Sequence, residues 1–216
     1  MGTDIHMIAE RRIDGKWQTF EEEVFNDCSW GNVTKTSSPY ESRNYNLFAI
    51  LAGVRNGRGF AGCKIGEPFD PISRPKGYPA DMDKKSMNYM SEEHSASWLT
   101  LKEIDRYDWS QKHRNYGVVS EDTYKNFIMQ GENPDVWSGG IGGDNYVTID
   151  EDEMIALIQG RMLREPDKHY FTGCYFYPET YQDYAEDFLE NMEIQRKHIP
   201  EGGTTEDVRI VFDFDS

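Results

Sequence analysis

Val208-Arg209-Ile210-Val211-Phe212-Asp213-Phe214-Asp215 is the stretch on which the fold turns. Val208, Ile210, Phe212 and Phe214 alternate with Arg209, Val211, Asp213 and Asp215, the two-residue period of a β-strand. Gly202-Gly203 breaks the chain ahead of it. Further upstream, Pro178-Glu179-Thr180 opens a helix over residues 180–198, with Tyr181, Tyr184, Ala185, Phe188 and Met192 on one stripe. Residues 170–177 are aromatic and strand-like. Strand, helix and strand in succession suggest a crossover, the connection that parallel strands require.

The start of the chain alternates in the same way. Ile5, Met7 and Ala9 take one face of a strand over residues 4–13, and Asp4, His6 and Ile8 the other. Asp14-Gly15 is a two-residue hairpin signal, predicting a return over residues 17–25. Ser, Thr, Asn and Pro dominate residues 26–42, which read as a loop. Leu47, Ile50, Leu51 and Val54 predict a first helix over residues 44–54, ended by Gly57 and Gly59. Residues 55–91 then lack periodicity, and a connection of that length points to function or mobility. Thr100-Leu101-Lys102-Glu103 and Asp150-Glu151-Asp152-Glu153 are capping boxes that open helices. Ser120 caps another helix, with Tyr124, Phe127 and Ile128 inward and Gly131 as its terminator; residues 146–149 read as a strand and Gly139-Gly140-Ile141-Gly142-Gly143 as flexible. The sum is the α+β class: a single domain over residues 1–216 with a mixed, mostly antiparallel sheet. Helices lie mainly on one face, and residues 55–91 form a long irregular excursion.

Composition narrows the function. The 216 residues carry a formal net charge of −16, which argues against general nucleic-acid binding and against anionic membranes. Half of that charge lies in residues 179–216, with eleven acidic and three basic residues. Arg43, Arg55, Arg58 and Lys64 fall within residues 43–64, which hold no acid. Cys28, Cys63 and Cys174 are odd in number and widely spaced, so neither a disulfide framework nor a zinc ribbon is indicated. Without a basic, then apolar, leader at the N-terminus, the expected location is the cytoplasm.

Asp4-Ile5-His6 puts a carboxylate and an imidazole on one strand face. The pair reads either as part of a divalent-metal site or as an edge His beside a turn-capping Asp. Glu92-Glu93-His94-Ser95-Ala96-Ser97 adds a third candidate ligand, His94, or alternatively serines that cap a helix through Trp98 to Tyr107. Arg55 and Gly57-Arg58-Gly59 form neither a P-loop nor a dinucleotide turn. They suit a phosphate or carboxylate grip, or else balance the acidic segment. The candidate site is therefore Asp4, His6 and His94 as metal ligands, with His94, Arg43 and Arg55 as catalytic residues and Asn56 and Arg58 as substrate-binding residues. Asp213 and Asp215 share a strand face and read as solvated.

Met1-Gly-Thr-Asp-Ile-His6 and Arg43-Asn-Tyr-Asn-Leu-Phe-Ala-Ile-Leu-Ala-Gly-Val-Arg-Asn56 resemble an uncharacterised protein family scattered through tailed phages and prophages. Pro75-Lys-Gly-Tyr-Pro-Ala-Asp81, His94-Ser-Ala-Ser-Trp-Leu99 and the ending at residues 208–216 are similar to further segments of that family. Lys76, Tyr78 and the inserted Ala80 depart from its pattern. The resemblance implies a phage accessory protein acting on host metabolism or defence in a bacterial cytoplasm. Two readings follow. One is a metal-assisted hydrolase of a phosphorylated small molecule; the other is a non-enzymatic acidic protein that occupies a basic host surface or imitates nucleic acid.

Overall fold

The computed structural model describes residues 2–26, 32–36, 38–136, 141–176 and 179–215. Cys28, Gly139, Gly140 and Pro178 lie outside the described residues. The fold class is α+β. The chain, read from sequence as one domain, divides into two compact units: residues 1–56, 69–110 and 181–216, and residues 57–68 and 111–180. In place of one sheet, the described strands form three, of four, two and three strands.

The first unit is built on β9 (Val208–Phe214), every residue of which is buried. β1 (Ile5–Ile13) pairs with one side of β9 and β5 (His94–Thr100) with the other, both antiparallel. β2 (Lys16–Thr19) completes the order β2-β1-β9-β5. The hairpin at Asp14-Gly15 forms as expected, with φ of 49° and 75° at the two turn residues and Ile13 opposite Lys16. Its return is shorter than expected. β3 (Glu22–Asn26) leaves to pair with β4 (Asn32–Thr36), inside the stretch read as a loop. The crossover suggested for the C-terminal segment does not form, because residues 169–176 belong to a different sheet from β9.

One face of the four-stranded sheet carries the main core. Ile5, Met7, Leu99, Ile210, Phe212 and Phe214 pack there with α1 (Tyr45–Ala52), α3 (Leu101–Arg106) and α6 (Glu186–Gln195). The Asn44 side chain caps α1 by accepting from the Leu47 amide, and Gly53 ends it at φ 71°, four and six residues before the glycines expected to do so. Thr100 and Glu103 form the expected capping box of α3. The serines at 95 and 97 consequently lie in β5 rather than capping a helix.

The other face is covered too. Residues 69–91, with the short α2 (Lys84–Met87), bring Tyr78, Met82 and Met90 onto Ile8, Val211 and Trp98. Polar groups fasten this cover. Glu10 accepts from Arg209 Nε and from the Asp83 amide, each at 2.8 Å, and Arg209 Nη1 donates to Asp81 at 2.8 Å. Asp213 Oδ2 accepts from the Tyr78 hydroxyl at 2.5 Å and from the Glu92 amide at 2.8 Å. Burial first, and then the Asp213 carboxylate, push the Tyr78 phenol well above its ordinary value. The expected excursion over 55–91 is thus two things: residues 57–68 belong to the second unit, and residues 69–91 are a fastened layer.

In the second unit β8 (His169–Phe176) is central, antiparallel to β6 (Asn115–Ser120) and parallel to β7 (Tyr146–Ile149). The parallel crossover lies here, through α5 (Glu151–Ile158), which opens on the expected Asp150–Glu153 capping box. Ser120 caps α4 (Glu121–Gln130) and Gly131 ends it, as expected, but Ile128 faces outward and Tyr124 is the buried residue. Burial first, and then Glu151, push the Cys174 thiol up to about 11.

Phe188 is fully buried against Tyr40 and Trp109. Phe188→Ala is expected to cost about 3–5 kcal/mol, read from urea unfolding. Glu10→Ala leaves Arg209 with only the exposed Asp81 carboxylate as counter-charge. It is expected to cost about 3–5 kcal/mol and to abolish hydrogen-exchange protection at the Asp83 amide.

Candidate functional site

The polar groups at the start of β1 organise around Asp215. Its Oδ1 accepts from the Asp4 amide at 2.8 Å, and its Oδ2 lies 3.2 Å from His6 Nε2. Arg43 grips the Asp4 carboxylate in bidentate fashion, Nε to Oδ1 at 2.7 Å and Nη2 to Oδ2 at 2.6 Å. Gly2 makes room for that grip, since a Cβ there would come within 2.3 Å of Arg43 Nη1. The Arg43 guanidinium holds the Asp4 carboxyl below its usual range; the Asp4 amide, and then His6, do the same for Asp215. Two carboxylates, a guanidinium and an imidazole here satisfy one another.

The expected metal cluster is corrected by β-sheet register. His94 is paired with Phe214 and stacks on its ring at 6.1 Å, in the row of Ile5; His6 is paired with Asp213, on the opposite face. The two imidazoles therefore do not converge. A bulge between His94 and Ser97, with Ser95 at φ 54°, also turns His94 Nδ1 onto the Ser95 hydroxyl at 3.0 Å. Among the described residues no group of three or more His, Cys, Asp or Glu is placed to hold a metal ion.

The remaining candidates have structural duties. Arg55 donates to Thr3 Oγ1 at 2.7 Å and lies over the Tyr45 ring, so it ties α1 to the chain start rather than lining a catalytic cleft. Asn56 clasps the backbone of Phe69 from both sides, accepting from its amide at 2.6 Å and donating to its carbonyl at 2.9 Å. Arg58 sits in the second unit, where it donates to the Gly62 carbonyl.

A different concavity carries the acidic character of the C-terminal segment. A groove of about 510 Å³ runs between α6 and the α3–Trp109 stretch. Ile104, Trp109, Leu189 and Met192 supply apolar lining; Asp105, Glu186, Glu190 and Glu193 supply carboxylates. Glu186, Glu190 and Glu193 follow i, i+4, i+7, the spacing that places side chains along one side of a helix. Arg196 is the cation among the described lining residues, and Asp105 and Glu193 both accept from it. The apolar stripe of residues 181–192 was visible in the sequence. The contribution of Asp105 and Trp109 was not, because α3 meets α6 only through the fold.

Buried polar residues were also missed. Glu10, Arg209 and Asp213 are at most 2% exposed, yet alternation alone assigns them to a wet face. A hint was present in Ile8 and Val211, apolar residues that share their parity.

Both depressed carboxyls at the sheet end contribute stability that is present at neutral pH and lost as the pH falls through their lowered values. Asp4 is expected to titrate below 3.8, its ordinary value, and Arg43→Ala to move it upward, followed by carboxyl-carbon NMR shifts against pH.

Among the described residues no helix is long and apolar enough to cross a membrane. No protein-family model, no curated protein and no solved structure matches this chain.

Proposed function

We propose that the chain is a phage-type accessory protein that binds, without chemistry, a basic surface of a bacterial host protein. The observation that carries this reading is the α6 groove: four carboxylates around an apolar floor, with Arg196 already held by two of them. A lysine or arginine of a partner suits that design. Its aliphatic stem would lie on Leu189 while its charged head reaches the carboxylates. Trp109 adds a ring face on which a guanidinium can stack. The charge of −16 would speed encounter with a basic partner through long-range attraction. The hydrolase reading has less behind it, because Asp4, His6, Arg43 and Arg55 are engaged with neighbours within the chain.

An arginine-rich peptide labelled for fluorescence anisotropy is the probe. Binding is expected to weaken about tenfold or more between about 0.05 M and about 0.5 M salt as the Debye length shortens. The Glu186→Lys/Glu190→Lys double variant should lose it, and Glu201→Lys, on an exposed loop, should keep it. Equal binding by the double variant and the parent protein would rule out the groove.

A further inference from the structure

Residues 57–65, in the second unit, fold back on themselves as a tight hairpin. The Gly59 amide donates to the Cys63 carbonyl at 2.8 Å, and the Ile65 amide to the Gly57 carbonyl at 3.0 Å. Ala61 and Gly62 turn the tip with φ of 54° and 76°. Phe60 stands on that tip and is 65% exposed, so its own chain does not seat it. Arg58 and Lys64 face each other across the hairpin as an antiparallel bridge. Like charges directly opposite one another are unfavourable, and among the described residues neither is paired with a carboxylate. Arg58 gives one donor to the Gly62 carbonyl, and Lys64 lies over the rings of Tyr116 and Tyr175 at 4.3 and 4.4 Å. Residues 57–66 hold no acid. The hairpin thus presents an open aromatic ring beside two cations that lack a counter-charge.

The α6 groove is its complement. Arg196 engages Asp105 and Glu193, which leaves Glu186 and Glu190 as exposed carboxylates of the lining. They stand at i and i+4 on α6, a spacing that sets Cβ atoms about 5–6 Å apart. Directly opposite strand partners such as Arg58 and Lys64 have theirs about 4.5–5.5 Å apart. Two cations and two carboxylates can therefore meet in step. Leu189 and Trp109, both part-exposed, offer the Phe60 ring an apolar and aromatic seat.

We propose that the α6 groove takes the hairpin of residues 57–65 from a second copy of this chain. Phe60 lies on Leu189 and Trp109, and Arg58 and Lys64 meet Glu186 and Glu190. This rests on the reading of the groove as a surface for cations and gives that surface an occupant of its own, so self-association and a host partner compete for the same carboxylates. The two patches differ, and the contact is heterologous: copies add head to tail unless two of them exchange hairpins. A contact of one ring and two ion pairs is small and weak. Repulsion between two net charges of −16 is confined to short range at moderate salt, where the Debye length is about 8 Å.

Sedimentation equilibrium of the purified full chain at about 0.15 M salt, over about 0.01–1 mM protein, tests the assignment. The weight-average mass should rise with concentration above the 25.1 kDa of one chain. Arg58→Glu/Lys64→Glu and Glu186→Lys/Glu190→Lys alter exposed side chains, so both should stay folded by circular dichroism, and each alone should stay monomeric. Mixed one to one, the two variants should associate again, because each offers the other an oppositely charged hairpin or groove. Phe60→Ser should weaken association about tenfold or more, as loss of a buried aromatic side chain does. Three outcomes overturn the proposal: a parent protein at monomer mass throughout; association unchanged in either charge variant; or no association in the mixture. A monomeric parent that still binds the arginine-rich peptide would overturn the hairpin assignment alone. Association restored by the charge exchange, in a protein that does not bind the peptide, would overturn the host reading alone.

Discussion

Arg209 and Glu10 face each other across β9 and β1 as a charged pair almost wholly removed from solvent. Removing two charges from water costs several kcal/mol per ion, recovered only when the remaining donors and acceptors find partners. The strands alone do not provide enough of them. Asp81 and the Asp83 amide, both in residues 69–91, add one bond to each partner, and the Trp17 ring lies against the guanidinium. The pair and the layer above it are therefore mutually dependent. Asp213 repeats the logic two turns of the pleat away, holding Tyr78 within the layer and the amide of Glu92 just past its end. Register follows as well, since a slip of one residue would turn Glu10 and Arg209 into the apolar core among Met7 and Phe212.

Much of the local structure was legible because its causes are local. The Asp14-Gly15 turn, the Thr100 and Asp150 capping boxes, the Ser120 cap and the stripe through Phe188 each depend on residues within a few positions of one another. What stayed hidden depends on partners far along the chain. Alternation told which residues of β9 share a face, yet not that both faces would be covered; residues 69–91 have no period of their own to announce a layer. The candidate site failed for the same reason. Parity groups Asp4 with His6, but whether His94 joins them is decided by its pairing with Phe214, a residue 120 positions on.

Acidic residues serve two distinct purposes in the first unit. Glu10, Asp81, Asp213 and Asp215 fasten parts of the chain to one another, each with named partners. Glu186 and Glu190 on α6 are exposed along a groove. The overall excess of negative charge thus overstates what is free to act outward, and concentrates the outward part on one helix. That separation explains how a sheet with buried carboxylates can coexist with a strongly acidic surface: the buried ones are held by partners within the chain.

β9, an inner strand of the four-stranded sheet, comes after the other described strands in the chain. On a ribosome, β1, β2 and β5 emerge long before the strand that joins β1 to β5, and they wait with apolar edges open while the intervening unit is made. The second unit has no such debt, since β6, β7 and β8 lie within residues 111–180. Synthesis should consequently deliver a finished second unit first, with the first unit snapping shut only when residues 208–214 leave the exit tunnel. Until then its nascent strands are exposed to chaperones and to mispairing.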